Sequence, residues 1–199
     1  LVEKVIPYLR SKFGLKGLVH YRVLKVCGLG ESQVDAAIGD LIRVSQNPKI
    51  GLLASADGIK IRLSAKADTL REANRLIEPL GSEIRRRLPG LVMGVDQDTL
   101  ENVVDRMLAE KDWALALAET HTAGTITQRL VSSQSRQFAG ALIIPSGQFT
   151  GRDLCAAAQE LTSEILNRFG ADCALAVTCD AEQGQSLGLF TTPEGVSQW

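Results

Sequence analysis

Residues Trp113–Gly124 read WALALAETHTAG: six apolar side chains in a row, then a polar turn that closes on small residues. So short and so apolar a run fits a strand buried on both faces. Thr125–Ser132 behind it is expected to form a helix. The alternation then repeats. Gly140–Ile144 (GALII) is a second buried strand, and Asp153 opens a helix with Leu154, Ala158, Leu161 and Ile165 inward that stops near Gly170. Cys173–Thr178 (CALAVT) is a third strand and Ser186–Phe190 a fourth. Strands alternating with helices predict a mostly parallel α/β sheet with Trp113–Ala118 central. Ligands of such sheets sit beyond the carboxyl ends of the strands, which places the candidate mouth at Glu119–Gly124 and Thr178–Gly184.

Ahead of that stretch, Asp98 and Glu101 make a capping box for a helix whose apolar positions are Leu100, Val103, Val104, Met107 and Leu108. The first half has a different rhythm. Residues 2–13 space Val2, Val5, Ile6, Leu9 and Phe13 as a helix in which Pro7 is the only awkward position. Tyr21–Cys27 alternates as a strand, Gly28-Leu29-Gly30 turns the chain, and Ser32 with Asp35 resembles an N-cap. Val34, Ile38, Leu41 and Ile42 form the stripe of the helix that follows. Lys49–Ala54 and Gly58–Ala65 read as a hairpin around Ala56-Asp57-Gly58. Thr69 with Glu72 caps a helix that turns Leu70, Ala73, Ile77, Leu80, Ile84 and Leu88 inward, with a kink at Pro79, and Leu91–Met93 adds a last strand. The order β-α-β-β-α-β predicts a sheet covered on one face by helices.

Charge separates the halves. Residues 1–95 hold 16 Lys and Arg against 9 Asp and Glu, whereas residues 96–199 hold 6 against 14, and the chain as a whole is close to neutral at −1. With a turn at Gly94–Asp98, this asymmetry predicts two domains with different partners. A composition of 45% hydrophobic and 23% charged residues excludes a disordered chain. There is no apolar run of membrane-spanning length and no secretion signal. Four cysteines without a CxxC pair point to reduced thiols in a cytoplasmic protein rather than to zinc or disulfides. No metal and no cofactor is expected. Gly28-Leu29-Gly30 lacks the third glycine of a phosphate-binding turn, with Gln33 in its place, so tight-turn geometry is its expected role. Arg85-Arg86-Arg87 suits the negative end of a helix.

LALAETHTAG (Leu115–Gly124) resembles the LAxAESCTGG signature of the competence/damage-inducible CinA family's C-terminal domain, and RFGADCALAVT (Arg168–Thr178) resembles that domain's RLGADxGLAVTG stretch. RVLKVCGLGES (Arg22–Ser32) and KIGLLASADGIKIRLSAKA (Lys49–Ala67) are similar to the same family's KH-like middle domain. The resemblance implies residues 1–15 as the tail of a molybdopterin-binding-like domain, 16–95 as the KH-like domain and 96–199 as a shortened C-terminal domain. It also implies an amidohydrolase that converts nicotinamide mononucleotide to nicotinate mononucleotide and ammonia. Thr120 then stands where the family has its nucleophilic serine, and His121 stands at the cysteine. Thr122, Ala123 and Gly124 stand at the positions that present backbone N–H groups to phosphate.

Several family features are replaced. The tyrosine and lysine of a YSNEAK-like stretch, matched through Ser146, fall on Pro145 and Thr150, neither of which is a base. The glycine-rich closing loop becomes Thr178–Gly184, with two carboxylates. Lys111, the one lysine of the second half, precedes a strand and is not placed to act. The stretch from Ile144 to Thr162 reads as shortened, and the chain reaches Trp199 before the family's final strand and helix. Three readings follow: a non-catalytic amidase-like domain that keeps nucleotide or phosphate binding and self-associates, an active nicotinamide mononucleotide amidohydrolase, or a nucleic-acid-binding role for the basic half. Against the last, the glycine clamp of KH domains is missing and aromatics are 5% of the chain. The expected partners are therefore a nucleotide such as nicotinamide mononucleotide and a second copy of the chain, without nucleic acid or membrane.

Overall fold

The computed structural model describes residues 4–14, 17–55, 57–145, 153–180 and 184–199. The chain divides into two compact units, Leu1–Leu100 and Glu101–Trp199, each with its own sheet.

The first unit begins with α1 (Val5–Phe13), where Pro7 falls in the first turn and is tolerated because its amide would be unpaired there. The apolar side chains of α1 are exposed; Phe13 is 62% accessible. Then come β1 (Leu18–Val26), α2 (Glu31–Val44), β2 (Lys49–Ser55), β3 (Gly58–Ala67), α3 (Leu70–Arg87) and β4 (Val92–Val95). The sheet order is β2-β3-β1-β4, all antiparallel. On β3 every second side chain is buried, Ile59, Ile61, Leu63, Ala65 and Ala67. They pack with Leu24 and Val26 against Val34 and Ile38 of α2 and Ala73, Ile77 and Ile84 of α3. Each fully buried Ile or Leu contributes about 1.5–3 kcal/mol. Among the described residues, α2 and α3 both pack on this one face of the sheet.

Local details correct three expectations. The N-cap of α2 is Gly30, not Ser32: Gly30 is extended, and Gln33 Oε1 accepts its N–H at 2.9 Å. Helix α3 runs unbroken through Pro79, and Leu70, at its first position, is 57% exposed rather than inward. In the hairpin Ser55 pairs directly with Gly58, while Ala56 lies outside the described residues. Gly58 is required where it stands: its φ is +112° and a Cβ would come 2.2 Å from the Val26 carbonyl oxygen. Thr69 caps α3 as expected, accepting from Glu72 N–H at 3.2 Å.

The second unit comprises α4 (Leu100–Glu110), β5 (Leu115–Glu119), α5 (Thr125–Ser132), β6 (Phe138–Ile143), α6 (Leu154–Phe169), β7 (Cys173–Asp180), β8 (Gln185–Thr192) and β9 (Gly195–Gln198). The sheet order is β6-β5-β7-β8-β9. All five residues of β5 are buried, and β6 and β7 flank it in parallel. Its alternating composition sets the layers. Ala116 and Ala118 turn toward Ala157, Ala158, Leu161 and Ile165 of α6, while Leu115 and Leu117 turn toward Leu108 of α4 and Leu130 of α5. Small side chains on one face let α6 approach closely; leucines fill the space under the other two helices. The strands β8 and β9 are antiparallel, so the sheet is less parallel than expected. Four residues between β7 and β8 permit a hairpin but not a crossover. Met107, expected inward on α4, is 58% exposed. Among the described residues no helix is long and apolar enough to cross a membrane.

Candidate functional site

The expected mouth lies at the carboxyl end of β5. Glu119 closes that strand with no accessible surface, and its carboxylate is turned into the start of α5. Oε2 accepts from Thr122 Oγ1 at 2.5 Å and Ile126 N–H at 3.1 Å; Oε1 accepts from Thr127 N–H at 2.7 Å and Thr127 Oγ1 at 2.5 Å. Burial pushes the carboxyl pKa up, and these four hydrogen bonds outweigh it and hold the group below its ordinary value. The positive end of α5 is therefore occupied by the chain's own carboxylate.

Thr120, the residue at the family's serine position, is 3% exposed. Its N–H and its hydroxyl both donate to the Val177 carbonyl of the neighbouring strand, at 3.1 and 3.2 Å. His121 is exposed at the tip of the turn and Thr122 is half-buried. Ala123 and Gly124 are both left-handed, with φ of 50° and 85°. A Cβ on Gly124 would come 2.7 Å from Cδ1 of the exposed Ile143 side chain, which can turn aside, so it is the positive φ that favours glycine there.

The second part of the mouth is at the end of β7. Thr178 is buried and donates to the Leu154 carbonyl at 3.3 Å; Asp180 is 2% exposed. Asp153 Oδ1 accepts from Cys155 and Ala156 N–H at 2.9 and 3.4 Å, so the start of α6 is also filled by a carboxylate of the chain. A depression of about 660 Å³ lies between Asp153, Cys155, Asp180 and Gln185. Pro145 is exposed at the end of β6. Ser146, Thr150 and residues 181–183, which the sequence places around the mouth, lie outside the described residues.

Lys111 sits at the opposite end of β5 from Thr120. Its ammonium is 4.5 Å from the centre of the Trp113 ring and 2.5 Å from Glu194. The five residues of β5 separate the two ends by roughly 16 Å. Lys111 lines a cavity of about 530 Å³ between α4 and the β8–β9 hairpin, with Met107, Trp113 and Phe190. The residue that sequence reasoning underrated is Glu119. Its signal was a carboxylate directly after a buried strand, with threonines three and eight residues on.

These two units define a two-part α/β protein: a four-stranded antiparallel sheet under two helices, then a mixed five-stranded sheet with helices on both faces. Residues 21–94 match the family described as Damage-inducible protein CinA KH domain. A CinA-like protein from Dictyoglomus thermophilum is 36% identical over 202 residues, covering 96% of this chain and 47% of that protein. A putative competence-damage inducible protein from Clostridium tetani is 42% identical over 130 residues, 65% of this chain and 31% of that one. A crystal structure of a CinA superfamily protein from Escherichia coli overlaps 52% of this chain and 77% of its own, at 18% identity and a TM-score of 0.43. The chain belongs to the CinA family. It spans about half the length of the curated relatives it matches.

Proposed function

We propose that the second unit is an amidase-like domain that no longer hydrolyses nicotinamide mononucleotide and keeps at most weak phosphate or nucleotide binding. The observation that carries this reading is the internal use of the mouth's polar groups. A nucleophilic hydroxyl needs a base within hydrogen-bond reach and an open approach. Thr120 is buried and donates to the Val177 carbonyl. The lysine of this unit lies at the far end of the strand, paired to Glu194. General-base assistance is worth roughly 10²–10⁴ in rate, and oxyanion donors a comparable factor. The second unit holds no tyrosine and no lysine besides Lys111, so Thr120 is without that base and turnover falls by the first of these factors.

Residual binding is supported by the backbone. The left-handed pair Ala123 and Gly124 shapes the turn that faces phosphate in the family signature, and His121 is exposed beside it. Docking there is weak, because Glu119 already takes the Ile126 and Thr127 amides. Self-association through the second unit is supported by its exposed Met107, Val131, Ile143 and Val196. Ammonia release from nicotinamide mononucleotide tests the catalytic part. The expected result is no release above the protein-free rate, and release that vanishes in Thr120→Ala overturns the reading. A concentration series in the analytical ultracentrifuge tests the association, which a strict monomer rules out.

A further inference from the structure

Among the described residues β9 is the outer strand of the second unit's sheet, with β8 on one side only. The hydrogen-bond pattern shows which of its backbone groups are left over. Gly188 and Trp199 exchange both of their backbone hydrogen bonds, at 3.0 and 3.1 Å. In an antiparallel ladder such exchanging pairs alternate with pairs that exchange none. Ser197 and Gly195 therefore turn their N–H and C=O toward Phe190 and Thr192 of β8, while those of Val196 and Gln198 point away from the sheet. Protein edges of this kind are usually guarded by a lysine, a proline or a bulge. Residues 195–199 read GVSQW, without a charge or a proline. Val196 is exposed and Trp199 is 69% exposed.

The same segment complements its own reverse. Set antiparallel against a second copy with Ser197 opposite Ser197, each Val196 meets a Gln198 and each Trp199 meets a Gly195. The outward groups of Val196 and Gln198 then exchange hydrogen bonds in both directions across a two-fold axis. Side-chain sizes agree with this register. The pair on the axis carries two small serines. The indole of Trp199 already rests on Gly188, with ring atoms 2.6–2.8 Å from where a Cβ would stand. At Gly195 a Cβ would meet nothing within 4 Å, so the other side of the indole finds open space over Gly195 of the partner subunit. Each indole thus stands between two glycines, the arrangement by which an aromatic ring steadies glycine in a strand. No like charges meet across the axis.

We propose that two copies of this chain join edge to edge at β9, about a two-fold axis at Ser197, so that one sheet runs through both. The proposal rests on the self-association read above and names its surface. An extended peptide of another protein could use the same edge, but the Trp–Gly and Ser–Ser matches belong to this segment paired with itself. A contact between β9 and β6, the strand at the other end of the sheet, is head-to-tail and does not close. The strand is short, so the dimer is expected to form with rising concentration rather than to be permanent.

The test is cross-linking and sedimentation of the 199-residue chain. Opposed residues of a pair that exchanges no hydrogen bonds lie about 4.5 Å apart at Cα, within the range a disulfide spans. With diamide as oxidant, Ser197→Cys is expected to give a reducible dimer in about tenfold excess over wild type, whose partly exposed Cys27 and Cys155 set the background. Ser163→Cys, exposed on α6, stays at that background. Val196→Pro removes an N–H that β8 does not use, so it keeps the melting temperature and raises the dimer dissociation constant about tenfold or more. Should that variant not fold, Val196→Lys takes its place and blocks the edge with charge. A wild-type dimer that these substitutions do not weaken, with Ser197→Cys at background, overturns the edge pairing and leaves self-association through another surface standing. A strict monomer overturns both. Species that grow past the dimer as concentration rises show an open contact and equally overturn the two-fold one.

Discussion

The mouth of the second unit and the open sheet face of the first handle charge in opposite ways. At the mouth each carboxylate with described contacts is answered from within the chain: Glu119 by four donors of α5 and its turn, Asp153 by two amides of α6. On the sheet face turned away from α2 and α3, Lys25, Lys49, Lys60, Arg62 and Lys66 stand together with no carboxylate on their strands. Groups satisfied inside a buried network hold a fold together, whereas exposed cations that water also solvates contribute little to it. The difference predicts that substitutions at the mouth cost stability and substitutions on the face leave it nearly unchanged.

Glu119 provides the largest expected effect. Glu119→Gln replaces one accepting oxygen by an amide that points its own donors at Thr122 or Thr127, and costs about 2–3 kcal/mol. Glu119→Ala leaves buried donors unpaired and costs more. Both are read from urea unfolding of the second unit. The pH dependence has a definite sign. The carboxyl pKa is lowered by folding, so its contribution is complete above the unfolded value near 4.3 and is lost as pH falls through the lower folded value. Wild type should therefore lose stability on acidification in that range more steeply than Glu119→Gln. Equal stability of the two proteins at neutral pH would break the comparison at its stronger side.

A smaller effect, of opposite sign, is expected at Ala123. Its φ of 50° disfavours any residue with a Cβ, and alanine makes no compensating local hydrogen bond there. Ala123→Gly relieves about 1 kcal/mol of strain, part of which is offset by the greater freedom of glycine in the unfolded chain. A net gain of about 0.5 kcal/mol, seen as a rise in melting temperature, is the expected result. A loss would mean that the turn draws stability from this alanine, and the mouth would then be less a fixed frame than Glu119 makes it.

What was legible in the sequence follows the range of the interaction. Helix α6 could be read end to end because both its stops are local: Asp153 caps it, and Gly170 ends it with φ of 60°. The buried strand β5 was legible from composition, though it starts at Leu115 rather than Trp113, since the Trp113 N–H donates to the Leu108 carbonyl of α4 at 3.0 Å. Strand β9 was missed. Its four residues, GVSQ, are all exposed and owe their extended form to pairing with β8, which no local pattern announces. The fate of Arg87 was illegible for the same reason. It bonds Glu83 one turn away, which spacing suggests, and Asp40, 47 positions away, which only packing of α3 beside α2 brings near. At the candidate site, the order of residues was visible but the direction of each side chain was not. Thr120 follows a strand as a nucleophile would, yet its N–H and its hydroxyl both donate to the Val177 carbonyl of β7.

The smallest expected effect sharpens the comparison from its other side. Lys60 is directly opposite Lys25, and Lys25 is held in place because its ammonium donates to the Asp98 carbonyl. Cross-strand pairs contribute roughly 0.2–1 kcal/mol, with like charges unfavourable and opposite charges favourable. Lys60→Glu converts a repulsive pair into an attractive one without touching the buried face, where Ile59 and Ile61 on either side keep their packing. Exposure and salt screening hold the gain to a few tenths of a kcal/mol, and it shrinks as ionic strength rises. The first unit of Lys60→Glu should therefore be slightly more stable than wild type at low salt and indistinguishable from it near 1 M. If the substitution instead destabilises the unit, Lys60 serves the fold as Glu119 does.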